Sequence, residues 1–413
     1  MTGPHTAMRK VWLLAATTTL TVTSFAMLGP VLAVLLHQRG LGTAAIGAFA
    51  MIGFSCVAVL IPIMPRLFMR WGLGRCFTIG AVLEAVSTVG YVFTDHFAVW
   101  CACAALGGAG GAAVWNATES LLAQHAPPAQ RGRVMGLYQT ALGAALAAGP
   151  LLPALLAWQA PTTLWAGAAI QFAALGVILL TGVARQLAPH PSASASASAS
   201  ATANSAVAGA GHVSAPNASG GTWAAVRSAP ALVAIAFVGG VFEVGLNSIS
   251  AANGAGMGLS LAQASGIVGM LGLGSFLFQY PAGMAADRYP ASKVFAAAGA
   301  VLLVSTAAFT LGGQYLPVLW ATALLWGGVG GALYTLCMVR VGHDFATSAT
   351  ATGAGVTGTA AAGTAAMISG YTLGGAVGPV VSGAALQYGG PLGLASWLGA
   401  LAVGVILLGQ RVR

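Results

Sequence analysis

A helix needs about 20 predominantly apolar residues to cross a hydrocarbon layer of ~30 Å, and this chain supplies twelve such stretches in succession. They run over 11–36, 43–64, 76–93, 98–122, 134–156 and 163–183, then over 230–251, 262–283, 294–311, 316–341, 361–386 and 392–408. In lipid every backbone N–H and C=O must find its partner within the protein, which a helix achieves inside its own segment. The expected fold is therefore an all-α polytopic membrane protein of twelve transmembrane helices. Their spacing as six, a gap and six predicts an N-terminal six-helix bundle over residues 1–186, a linker over 187–228 and a C-terminal six-helix bundle over 229–413.

Composition removes the soluble alternatives. Charged residues make up 5% of the 413 and apolar types 58%, where soluble domains carry about 25% charge. Six acids and fifteen bases cannot build a water-facing surface for a chain this long. A formal charge of +9 suits nucleic acid when the bases form a patch, but here they mark span ends. With the N-terminus in the cytoplasm, Arg9, Lys10, Arg66, Arg70, Arg75, Arg131, Arg133, Arg185, Arg227, Arg288, Lys293, Arg340, Arg411 and Arg413 all fall on the cytoplasmic side, and only Arg39 falls outside. The positive-inside rule thus places both termini in the cytoplasm and leaves no reason to expect a nucleic-acid partner. Met1 to Met8 is short and largely polar, and the apolar run after it is too long for a signal-peptide core, so the first span reads as uncleaved.

Residues 184–229 include an alternating Ser-Ala tract from Ser192 to Ala201 that has nothing to bury, which predicts a disordered cytoplasmic linker. The sequon Asn217-Ala218-Ser219 falls within it and reads as chance in the cytoplasm. A second low-complexity stretch, 346–363, predicts a mobile loop between spans ten and eleven. Cys56, Cys76, Cys101, Cys103 and Cys337 lie in or beside apolar runs, without His at zinc spacing. They read as small apolar fillers, and no metal site or cofactor is expected.

The two halves repeat each other. Gly107-Gly-Ala-Gly-Gly-Ala112 in span four recurs as Gly327-Gly-Val-Gly-Gly-Ala332 in span ten, Gly149-Pro150 in span five recurs as Gly378-Pro379 in span eleven, and Arg70 after span two matches Arg288 after span eight. Three correspondences at the same spans, in the same order, predict a duplicated six-helix unit. Glycine at these positions lets helix backbones approach closely in lipid.

On these residues the chain resembles the major facilitator superfamily of secondary transporters. The superfamily's loop Gly-x-x-x-Asp-Arg-x-Gly-Arg is matched by Gly283-Met-Ala-Ala-Asp287-Arg288 in the second half; in the first half Arg70 and Gly72 match, but Met69 replaces the Asp and Pro65 the first Gly. More narrowly, Phe278-Gln279-Tyr280-Pro281, Glu119-Ser120-Leu121 and the run from Arg131 through Arg133 to Tyr138 look like the YcaD-like branch of bacterial permeases. Span five carries a degraded exporter motif, with Gly136, Gly149 and Pro150 present and Ala145, Pro153 and Ala154 in place of other glycines. The Arg that drug and proton antiporters place before the span-four glycines is absent, Cys103 and Ala104 standing there. The resemblance implies a bacterial inner membrane, a monomer, alternating access by two rocking halves, and spans one, four, seven and ten around a central cavity.

An ionisable group near the bilayer centre costs about 2.5–3.5 kcal/mol on insertion scales, so each asks for a reason. Glu243 lies two thirds of the way across span seven with Asn247 one turn on, a candidate for proton coupling or substrate binding, or else a structural carboxyl. Glu119 near the end of span four, with Trp115 and Asn116 close by, is a second candidate and is placed to bond across the bundle or pair with a cytoplasmic Arg. Glu84, on the peripheral third span, reads as structural or oligomer-facing. Thr17, Thr21 and Ser24 share one face of span one and either line a polar cavity or bond back to their own backbone. Tyr334 is a cavity aromatic or a packing residue, and Arg340 at the mouth of span ten attracts an anionic substrate or simply snorkels. Asp287 and Arg288, with Arg70, Arg131 and Arg133, form the expected cytoplasmic gate, in which Asp287 pairs with Arg131 or Arg133.

No nucleotide-binding Gly-x-x-x-x-Gly-Lys-Ser/Thr run is present, so the energy should come from a gradient. The expected partners are a small organic solute, protons and the lipid bilayer, with export ahead of uptake. A membrane sensor that kept the fold and lost transport is the alternative class. An enzyme is not expected: no His-x-x-x-His pair or Ser, His and acid grouping stands in the spans, and His37, His96 and His125 read as loop residues.

Overall fold

A computed structural model describes residues 4–61, 63–125, 131–183, 226–312, 314–352 and 356–412. The first half contains α1 (Pro4–Gln38), α2 (Thr43–Leu60), the short α3 (Met64–Trp71), α4 (Leu73–Phe93), α5 (Phe97–His125), α6 (Arg131–Leu155) and α7 (Ala160–Thr181). In the second half α8 (Pro230–Gly240) passes through a π-helical turn, Val241–Gly245, into α9 (Asn247–Gly256). Then come α10 (Leu261–Arg288), α11 (Ala291–Gly312), α12 (Leu316–Thr352) and α13 (Val356–Gly409). Apart from the short α3, which no apolar run predicts, these helices fall on the predicted runs. Gly390, at φ 60° and ψ −160°, breaks α13 between the eleventh and twelfth spans, in a conformation that only glycine adopts cheaply. Among the described residues nine helices are long and apolar enough to cross a membrane, or ten when α8 and α9 with their 45° bend count as one span. One of the nine, Ala365–Gly409, holds two spans.

Two sequence expectations change. The stretch 346–363 is helical rather than a loop, because α12 runs on to Thr352 and α13 begins at Val356, with only 353–355 undescribed; its Ala content favours helix. His37 and His125 belong to the last turns of α1 and α5, and only His96 lies in a loop. The Ser-Ala tract and the sequon lie outside the described residues.

The chain forms two compact units. Unit 1 takes α1 up to Phe25, Ile52–Ala145 and the chain from Pro161 through α7; unit 2 takes Ala26–Met51, Leu146–Ala160 and everything from α8 onward. Unit 1 packs around Leu14, Phe77, Val114, Leu121, Tyr138 and Ile178. The core of unit 2 gathers Ile235, Phe242, Leu271, Trp326, Leu333 and Leu398. Exposed apolar side chains such as Leu180, Val304 and Leu407 lie mid-helix or at helix ends, where a soluble protein would pay for them and lipid would not.

Glycine sets the spacing inside unit 2. A Cβ on Gly240 would strike the Tyr371 carbonyl, one on Gly374 the Phe237 carbonyl, and one on Gly239 the Gly330 carbonyl at 2.9 Å. The end of α8, α12 and α13 are thus in backbone contact. Gly378 packs on the Cα atoms of Gly245 and Val241, and Gly47 of α2 meets the Pro379 carbonyl, so the Gly-Pro dipeptide serves as a crossing point. Around Gly149-Pro150, Leu146, Ala147 and Leu151 press on Gly272 and Gly269 of α10 in the same manner.

Candidate functional site

In unit 2 the close approach of glycines at the centre of the bundle leaves room for one carboxyl. Glu243 sits in the π turn, whose wider winding re-aims a side chain and is common at functional sites. A Cβ on Gly331 of α12 would lie 3.0 Å from Glu243 Oε1, so the glycine repeat is what admits the acid. Ser275 Oγ of α10 donates to Oε1, Tyr371 Oη of α13 donates to Oε2 at 2.9 Å, and Gln279 Nε2 donates to Ser275 Oγ at 3.3 Å. The Tyr334 ring packs on Tyr371 with centroids 4.6 Å apart.

This arrangement tolerates a proton. Ionised, the carboxylate accepts from two hydroxyls; protonated, it can donate to either one, since each hydroxyl oxygen also accepts. Both states keep their hydrogen bonds, which matters where an unmade bond costs about 1–3 kcal/mol. Asn247, predicted to share this face, opens α9 beyond the bend, and no hydrogen bond joins it to Glu243 among the described residues.

Unit 1 carries the second acid. Glu119 Oε1 accepts from Trp115 Nε1 at 2.9 Å and from Gln139 Nε2 of α6 at 3.2 Å, so it bonds across the bundle. Asn116 Nδ2 donates to its own helix at Ala112 O. Thr17 and Thr21 are buried and return hydrogen bonds to Leu14 O and Thr18 O, while Ser24 reaches Gly167 O of α7 at 2.9 Å. Glu84 is 7% exposed and faces the α5 glycines rather than outward, which corrects the oligomer-facing reading. Its orientation was illegible because α4 is apolar on every side.

Of the gate residues, Arg70, Asp287 and Arg288 are exposed. The side chains of Arg131 and Arg133 lie outside the described residues, and with them the expected ion pair. Arg340 is half-buried, and α12 continues well past it to Thr352. Ser275 and Tyr371 were missed in the sequence; Ser275 stands one turn before Gln279 on the same face, a usable signal, whereas nothing local marks Tyr371.

A family model described as Major Facilitator Superfamily matches residues 14–368. The chain belongs to the Major Facilitator Superfamily. Membership makes it a membrane transporter rather than an enzyme. Among solved structures it is similar to the nucleoside transporter NupG, at TM-score 0.70 and 12% identity over 98% of both chains. A bacterial homologue of the human lysosomal transporter Spinster, in an inward-facing and unoccupied conformation, gives TM-score 0.69 and 14% identity over 98% of this chain and 97% of that one. The human organic anion transporter MFSD10 (TETRAN) gives TM-score 0.58 and 19% identity over 98% and 99%. At these identities the likeness concerns the superfamily fold alone. No curated protein matches the sequence.

Proposed function

We propose that this superfamily member is a proton-coupled secondary transporter of a small organic solute, exporting it across a bacterial inner membrane with Glu243 as the coupling carboxyl. The observation that carries the reading is the setting of Glu243: an acid in a bent, π-wound span, bonded through two hydroxyls that serve either protonation state. Interrupted helices at membrane depth are where transporters of this general design place substrate and ions. Tyr371, which donates to the acid, is itself packed against the buried Tyr334 ring.

Several parts of the reading go with it. The two bundles, 1–186 and 229–413, rock about the site with the 187–228 segment as a cytoplasmic linker, both termini are cytoplasmic, and the protein works as a monomer. Asp287 closes the inner mouth by pairing with Arg131 or Arg133; Asp287→Asn then shifts the ratio of inward to outward states in distance measurements, and an unchanged ratio removes the gate. Affinity with the YcaD-like permeases rests on the three motifs that end at Pro281, Leu121 and Tyr138. The export direction rests on the Gly149-Pro150 motif of α6.

Untargeted mass spectrometry of cells and medium tests the whole. Strains expressing wild type or Glu243→Gln, each with and without an uncoupler, are compared. A solute moved outward by the wild type and lost with either perturbation supports the reading; inward movement reverses its direction. No difference between wild type and variant removes Glu243 from the mechanism and favours a non-transporting sensor.

A further inference from the structure

The two halves are built differently between their second and third spans. In the second half α10 runs unbroken to Arg288, with Asp287 beside it. In the first half α2 ends at Leu60, and a separate helix, α3, carries Arg70, the counterpart of Arg288. Pro62 lies at the interruption and Pro65 in the first turn of α3, where its missing N–H costs nothing. Gly72, at φ 82° and ψ 148°, ends α3, and its N–H bonds back to Phe68 O. The Cys76 thiol, 3.6 Å from Leu67 O, ties the start of α4 to α3.

By helical spacing Met64, Leu67, Phe68 and Trp71 share one side of α3, and Arg66 and Arg70 the other. Met64 is buried and Phe68 packs on the core of unit 1, so the first side holds the helix to the protein. Arg66 and Arg70 are exposed, as is Arg75 in the first turn of α4. None of the three makes a hydrogen bond or ion pair among the described residues. The sequence supplies no counter-charge nearby, since no acid precedes Glu84 and Met69 stands where the second half has Asp287. Apolar side chains are exposed among these bases, Met69 at 79%, Trp71 at 44% and Ile63 at 36%. Arginines beside an exposed indole at the end of a membrane span match the headgroup layer, where Trp sits at the boundary with water and bases meet lipid phosphate.

We propose that α3 and the first turn of α4 bind the headgroup of an anionic phospholipid, with Arg66, Arg70 and Arg75 supplying the donors and Trp71 and Met69 the apolar contact. Guanidinium groups suit this because their paired N–H donors match phosphate oxygens. Met69 is the residue that makes the patch purely basic: an acid at this position would repel the phosphate and compete for the arginines. With both termini cytoplasmic, the lipid belongs to the inner leaflet. The inference depends neither on Glu243 nor on any solute.

Quenching of Trp71 fluorescence by brominated lipid tests it in the purified full-length protein. Phosphatidylcholine nanodiscs carry an equal fraction of either brominated phosphatidylglycerol or brominated phosphatidylcholine. The Trp71 signal is the difference between each protein and its Trp71→Phe counterpart. The association of phosphatidylglycerol relative to phosphatidylcholine should be about tenfold or more in the wild type, and should fall as salt rises. Joint replacement by Arg66→Gln, Arg70→Gln and Arg75→Gln should bring the ratio close to unity. Met69→Asp alone should lower it at least about threefold, and this arm stands if the triple variant does not fold. Arg411→Gln, which removes an exposed base outside the patch, should leave the ratio unchanged. A wild-type ratio near unity, or the same ratio in the wild type and the patch variants, overturns the proposal. So does loss of the preference on adding inorganic phosphate at constant ionic strength, which would make the patch a site for free anions. Because no transport is read, either failure is distinct from a failure of Glu243 coupling.

Discussion

The glycine repeat of α5 and that of α12 each make room for one buried carboxyl, at positions that correspond through the repeat, but the acids arrive from different helices. Gly110 and Gly111 receive Glu84 from α4, whereas Gly330 and Gly331 receive Glu243 from the π turn after α8. The satisfaction of the two acids differs as well. Glu243 has a donor on each oxygen, while Glu84 keeps one oxygen without a partner. Duplication thus preserved the backbone approach, which many residues enforce together, and left the chemistry free to diverge, since any helix bordering the space can supply the side chain.

The sharpest way to break this comparison is to fill matched glycines. A Cβ on Gly327 would run into the Leu271 carbonyl, a backbone atom that cannot step aside, whereas one on Gly107 meets the Ser87 hydroxyl at 3.0 Å, which can rotate. Gly327→Ala should cost about 3 kcal/mol or more and lower the yield of folded protein, and Gly107→Ala about 1 kcal/mol or less, as read by thermal unfolding in detergent. Similar losses at both positions would mean that the two repeats are equally constrained.

Next in size are the hydrogen bonds to the acids. Tyr371→Phe removes the sole donor to Glu243 Oε2 among the described residues, a bond to a charged group worth about 1.5–3 kcal/mol, so proton-driven solute movement should fall at least about tenfold. Gln139→Leu leaves Glu119 with Trp115 and should reduce movement by only about two- to fivefold. Flux in the whole-cell assay separates them, and the reverse order would move the main coupling site into unit 1. Gly331→Ala should act between these two, because its Cβ would sit 2.7 Å from Ser275 Oγ and displace the donor to Glu243, while Gly111→Ala leaves an ordinary 3.5 Å contact and should be near neutral. Smallest is the span-one row. Thr17→Val removes only a bond back to Leu14 O and should change stability by less than about 1 kcal/mol, whereas Ser24→Ala breaks a tie to α7 and should cost about 1 kcal/mol. A transport defect from Thr17→Val with unchanged unfolding would restore the cavity role of that row.

How far the site could be read in advance varied by residue. Glu243 and Glu119 stood out because an acid within an apolar run is conspicuous in any reading. Ser275 did not, since a lone Ser in a membrane helix commonly bonds to its own backbone, and Tyr371 is 128 positions from the acid it holds. The π turn was equally hidden: Gly239-Gly240 precede it and Gly245 ends it, but the same residues also suit an unbroken helix packed closely on its neighbours. For Glu84 the deciding quantity was the rotation of α4 about its axis, which an all-round apolar helix does not encode.

Apolar run length, the scarcity of charge and the repeated glycines determined the helices and the duplicated plan by themselves, because the bilayer accepts few structures and each run must satisfy its own backbone. Only the tertiary structure decided which carboxyl meets which hydroxyl. Those contacts depend on the facing and depth of four helices at once, and in lipid, where one apolar face is as good as another, packing rather than hydrophobic pattern sets that orientation.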